Sequence, residues 1–109
     1  MVNLVHWIEE AAESEPIEAV VIGEMGWGKY KSGTVPGYVD HPRGKVLSWA
    51  EARPLLNYNF NDGYGAPGCE AIYVWTTMKV MFISQYDGSV SLNWIPRNPI
   101  DVMPSMPGG

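Results

Sequence analysis

The sequence predicts an α+β domain: an antiparallel sheet of three or four strands with a C-terminal β-meander, an N-terminal helix and a short central helix. Three observations carry that reading. Apolar residues recur at clear helical spacing near the N-terminus, runs of β-branched and aromatic residues dominate the C-terminal half, and Asp87-Gly88 is a strong two-residue hairpin signal. With 109 residues, 46% apolar and 17% charged, the chain is too apolar for disorder and is sized for one domain. Residues 1–95 are expected to form that domain, and residues 96–109 an extended tail rich in Pro and Met.

Asn3 is placed to cap a helix in which Leu4, Trp7, Ile8, Ala11 and Ala12 share one face, with Glu9, Glu10 and Glu13 outside. The helix is expected to end near Ser14, before Pro16. Residues 17–25 are β-branched and read as a buried strand that joins the sheet. From Gly26 to Gly44, Gly and Pro recur every few residues, which predicts an irregular loop with room for a short strand. Ser48 and Glu51 have the spacing of a capping box and open a short helix, which Pro54 limits or kinks.

The meander is predicted from runs at 72–76, 80–86 and 90–95. The hairpin turn sets Gln85 opposite Val90, Ile83 opposite Leu92 and Met81 opposite Trp94. A turn at Thr77-Met78 sets Val74 opposite Met81 and Ile72 opposite Ile83. Ile72, Val74, Met81, Ile83, Val90, Leu92 and Trp94 then share one core face.

The reverse face departs from the usual pattern. It carries Tyr73, Trp75, Val80, Phe82 and Tyr86 beside Ser84, Ser89, Ser91 and Asn93, where a one-sided sheet should be polar. Either a helix or the Gly-rich loop covers it, or it is an aromatic patch of a kind that soluble monomers rarely leave without a partner. The predicted helices are short and the core face already needs cover, so at least partial exposure is expected. Trp27, Lys29, Tyr30 and Lys31 of the Gly-rich segment would extend the surface formed by Tyr73, Trp75, Phe82 and Tyr86. Aromatic side chains are the preferred anchors of interfaces.

Charge bears on the partner. Residues 1–24 hold six acids and no Lys or Arg, residues 25–53 are net basic, and the whole chain is −5. That balance argues against sequence-independent nucleic-acid binding, which needs several cations on phosphates. No apolar run is long enough to cross a membrane, and no basic segment opens a secretory signal. Lone Cys69 excludes an internal disulfide framework. The expected setting is cytoplasmic.

Candidate chemistry is thin. Gly23 to Lys29 has the Gly-x4-Gly-Lys skeleton of a P-loop, but Tyr30 stands where Ser or Thr should hold magnesium, and Gly33 and Pro36 prevent the long helix. Cys69, His41 and a carboxylate such as Asp40 or Glu70 supply the residue types of a nucleophile, base and orienter, with no signature around them. His6 reads as a surface histidine. Asn57, Asn59 and Asn61 fail as a calcium loop, because Asp62 and Gly68 fall at its sixth and twelfth positions. The Gly108-Gly109 end resembles that of ubiquitin-like modifiers and sulfur carriers, although a leading helix and four prolines after the last strand depart from that family. No catalytic residue, metal or cofactor is assigned. The expectation is a small acidic non-enzymatic binding module acting on a protein partner or by self-association, in the manner of a bacterial or phage accessory or inhibitor protein. The alternatives are a small enzyme using Cys69 and a carrier activated at Gly108-Gly109.

Overall fold

A computed structural model describes residues 1–25, 42–63, 68–86 and 89–106 of the chain. Its elements run β1 (Val2–Asn3), α1 (Leu4–Ala12), β2 (Ile17–Met25), β3 (Val46–Leu47), α2 (Trp49–Leu56), β4 (Asn59–Phe60), β5 (Glu70–Thr76), β6 (Lys79–Tyr86) and β7 (Ser89–Pro96). The α+β class is as expected, but the main sheet has five strands in the order β3-β2-β5-β6-β7, not three or four. Its extra member is β3, whose two residues pair with Val20 and Val21. Two residues are too few to leave a period. All neighbours in the sheet are antiparallel, and β1 and β4 form a separate small pair.

Local chemistry explains both helices. The Asn3 side chain accepts from the His6 N–H at 2.9 Å, which satisfies one of the free donors of the first turn. Its amide donates in turn to Asn57 (3.0 Å) and Asn59 (3.3 Å), so these asparagines tie the cap to the chain after α2. Helix α1 ends at Ala12, short of Ser14, because Glu13 (φ 52°) and Ser14 (φ 70°) turn into the left-handed region. At α2, Ser48 and Glu51 complete the expected capping box with bonds of 3.1 and 2.9 Å. Pro54 lies inside α2, where its missing N–H shortens the ladder only two residues before the end.

Both helices pack on one face of the sheet. Leu4, Val5, Ile8, Ala12, Ala52 and Leu56 are buried with Val20, Ile22, Ile72, Val74, Met81 and Val90 in one core, and Trp7 tilts against Phe60 at 5.5 Å between ring centres. The meander has the register that its turns imply: Gln85 faces Val90, Ile83 faces Leu92, Met81 faces Trp94 and Val74 faces Met81. Trp94 corrects the expected core. It has the right parity but is 50% exposed, because β7 is the edge strand. The ammonium of Lys79, almost buried, stands 5.3 Å from its ring centre.

Glu15 clasps the loop after α1 to the turn between β5 and β6. Its Oε1 accepts from the Thr76 hydroxyl at 2.7 Å and the Met78 N–H at 2.9 Å, and Lys79 lies 3.8 Å from Oε2. The Thr76 bond first, then the Met78 bond, and Lys79 more weakly, hold its carboxyl below the ordinary value of 4.5. Folding lowers this pKa, so the clasp stabilises above 4.5 and is lost as pH falls through the lowered folded value. The melting temperature should therefore fall as pH is taken below 4.5, and Glu15→Gln should flatten part of that dependence. Only part is expected, since Arg97 holds Glu18 low in the same way. An unchanged pH profile in thermal melts of Glu15→Gln would contradict the clasp.

The tail leaves β7 at Pro96, and Arg97 pins its start: its N–H donates to the Met78 carbonyl, and its guanidinium binds Glu18 at 2.6 Å and the Thr76 carbonyl at 3.0 Å. Among the described residues, no helix is long and apolar enough to cross a membrane.

Candidate functional site

Strand alternation builds the face opposite the helices. Val20 and Ile22 of β2 point into the core, so Ala19, Val21 and Gly23 point out, each half-buried. Pairing across β2, β5, β6 and β7 then lays down two rows: Val21, Tyr73, Phe82 and Asn93, and beside it Ala19, Trp75, Val80 and Ile95. These side chains carry no charge. The acids of α1 lie on the opposite side of the molecule, with Glu9 against Arg53 at 3.4 Å and Glu10 against His6 at 3.5 Å.

No described element covers this face as a helix covers the other. Tyr73 is 58% exposed, whereas Trp75, Val80 and Phe82 are half-buried. The Tyr73 and Trp75 rings meet edge to face at 6.1 Å. Beside Tyr73 lies a groove of about 340 Å³ lined by Val21, Gly23, Gly44, Ala71 and Phe82. Gly23 and Ala71 make its floor shallow: a Cβ on Gly23 would stand 3.4 Å from that of Ala71. Phe82 also lines a second groove, of about 600 Å³, between β7 and the tail residues Ile100, Val102 and Met103. The tail is thus laid beside the sheet, and the apolar surface runs on to it.

Sequence reasoning named only part of this surface. Tyr73, Trp75 and Phe82 are brought together. Tyr86 ends β6 opposite Ser89, and its side chain lies outside the described residues. Trp27, Lys29, Tyr30 and Lys31 also lie outside them, as do His41, Asp40 and Gly108-Gly109. The groove residues of β2 lie in the continuous apolar run Ala19–Ile22 and at Gly23, within a segment whose sequence reads as a buried strand; only the pairing shows that Val20 and Ile22 face the core while Ala19, Val21 and Gly23 face the groove side.

An unforeseen cluster sits where the chain returns to the sheet after the Gly-rich segment. Arg43 donates to the Gly23 carbonyl and, at 2.7 Å, to Glu70 Oε2. The Tyr58 hydroxyl donates to Glu70 Oε1 at 3.1 Å and accepts from the Glu70 N–H at 3.0 Å. Gly44 follows at φ 68°, a conformation that favours glycine, and its N–H bonds to the Ile22 carbonyl at 2.8 Å. Burial, then the charge of Glu70, raises the Tyr58 pKa, so the phenol stays protonated as a donor. The cluster therefore holds Arg43 and Gly44 against the rim of the groove.

Cys69 adjoins this cluster but is 1% exposed, and burial followed by the charge of Glu70 pushes its thiol up to about 12. A reactive thiol needs access and a lowered pKa, and this one has neither. Among the described residues no three His, Cys, Asp or Glu side chains gather as metal ligands. Comparison of the chain with protein-family models, curated proteins and solved structures found no match.

Proposed function

We propose that the chain is a small non-enzymatic binding module acting through protein–protein contacts, with the helix-free face of the sheet as its contact surface. The observation that carries this reading is the placement of both helices on one side while Tyr73 stays 58% exposed at the centre of the other. Ordered aromatic rings lose little entropy on binding and bring large apolar area, which is why such residues dominate interface energetics. The face is uncharged in a chain of net charge −5, so its contact rests on shape and apolar burial. The acids of α1 supply solubility and long-range steering toward a basic target. This is the profile of a bacterial or phage accessory or inhibitor protein at work in the cytoplasm.

The test compares three baits in a pull-down from the native host: wild type, Tyr73→Ala and a surface control on α1, Glu10→Ala. A protein captured by wild type and by Glu10→Ala but lost with Tyr73→Ala supports the reading, provided circular dichroism shows all three folded. Equal capture by the Tyr73→Ala bait moves the contact surface elsewhere.

A further inference from the structure

The tail stands beside β7 without joining the sheet. The Arg97 N–H still bonds to Met78 on the β6 side, and the chain then runs back along the outer edge of β7. A groove of about 600 Å³ separates the two, with residues 92–96 on one wall and Ile100, Val102, Met103 and Ser105 on the other. The Val90 N–H points outward, since it donates to the Asp62 carbonyl at 2.9 Å. Ladder groups alternate, so Leu92 and Trp94 also turn their N–H and C=O outward, toward the tail. Among the described residues, no backbone group bonds to them there. Trp94 and Ile95 on the strand, and Val102 and Met103 on the tail, are all exposed large apolar side chains. Folded chains usually cover such an edge.

We propose that the tail is a strap that closes on β7 as an antiparallel sixth strand, with Trp94 opposite Met103 and Leu92 opposite Ser105. The prolines select this register. The outward groups of Leu92 and Trp94 and the Pro96 carbonyl need N–H donors opposite them, and Ser105, Met103 and Asp101 supply those donors. Pro104 falls opposite Asn93, whose own backbone groups face β6, so its missing N–H leaves nothing unpaired. Pro99 falls in the turn formed by residues 97–100. A slip of one residue in either direction would put Pro104 opposite Leu92 or Trp94, where a donor is required. A slip of two toward the turn would set Pro99 against the Pro96 carbonyl. The ladder stops at Leu92 because Asp62 already holds Val90. Closure lays the Met103 thioether beside the Trp94 ring and Val102 beside Ile95, so four exposed apolar side chains meet in pairs. Ordering the tail costs conformational entropy, which keeps the open arrangement the major one. The closed strap continues both rows of the aromatic face, with Val102 beyond Ile95 and Pro104 beyond Asn93. A partner seated on that face would therefore favour closure. That consequence rests on the proposed contact surface, whereas closure itself does not.

The test locks the strap in the full chain and reads amide exchange by NMR, with no partner present. Ile95 and Val102 form a non-hydrogen-bonded pair, with Cα atoms about 4.5 Å apart on closure, within disulfide range. Oxidised Ile95→Cys/Val102→Cys should slow exchange at Leu92, Trp94, Met103 and Ser105 by about tenfold or more relative to its reduced form. Ile95→Cys/Met103→Cys ties the tail one residue further along, with the wrong parity, and should not. Cys69 is buried and does not compete. In the unmodified protein, relaxation dispersion should detect exchange at the Leu92 and Trp94 amides as the strap opens and closes. Met103→Pro removes the donor opposite Trp94 and should abolish that exchange, whereas Val102→Pro, whose N–H points away from β7, should keep it. Locked Ile95→Cys/Val102→Cys exchanging as fast as its reduced form would overturn the proposal. So would equal protection in both locked variants, or dispersion that is absent from wild type or survives Met103→Pro.

Discussion

Arg43→Ala should destabilise the fold by about 3–5 kcal/mol, the usual cost of removing one partner from a buried ion pair. Glu70 is 3% exposed at its side chain and Arg43 16%, so water does not simply replace the lost guanidinium. The same change removes the donor on the Gly23 carbonyl, at the strand end from which the Gly-rich segment departs. Against a total of about 5–15 kcal/mol for a domain of this size, such a loss is a large fraction of the stability. Tyr58→Phe is the milder companion. It deletes a hydroxyl that bridges the Glu70 carboxylate and N–H, and should cost about 1–3 kcal/mol. Urea unfolding reads both through the midpoint at unchanged slope. Arg43→Ala within about 1 kcal/mol of wild type would mean that the pair is solvated, as surface pairs are.

The two faces of the sheet should answer truncation in opposite ways. Ile22→Ala removes a side chain that is 0% exposed beneath the helices and should cost about 2–5 kcal/mol. Tyr73→Ala, on the neighbouring strand but the other face, loses an edge contact to Trp75 and little else, so about 1 kcal/mol or less is expected. Half-buried Trp75 should fall between the two. A Tyr73→Ala variant as unstable as Ile22→Ala would show that a cover exists over the aromatic face.

The parts of this fold that were legible in the sequence are those written by strong local chemistry. The Asp87-Gly88 hairpin signal, with strict alternation from Ser89 to Trp94, fixed the pairing of β6 and β7 residue by residue, and Asn3 and Ser48 announced both helix starts. What was not legible depends on contacts far apart in the chain. Arg43 and Glu70 are separated by 27 residues, and Tyr58 and Glu70 by 12, with no spacing rule to join them. Strand β3 is two residues long and exists only because β2 offers it an edge. Trp94 shows a different limit. Parity assigned its face correctly, but burial depends on what lies over each part of the edge strand: α1 reaches β7 and Val90 is buried in the core, whereas Trp94, four residues on, stays 50% exposed. Tyr73, Trp75 and Phe82 were visible as a misplaced aromatic pattern, although only the strand order shows that β2 widens their surface into a groove.

Hydroxyl-radical footprinting of the isolated full-length chain tests the openness of this face most directly. Labelling of each residue in the native protein is compared with the same residue in the unfolded chain, with Met81 (1% exposed) and Met103 (88%) as internal limits. Tyr73 should be labelled natively at a rate near its unfolded one, in the manner of Met103, with Trp75 intermediate. Tyr73 protected as fully as Met81 would contradict an open aromatic face.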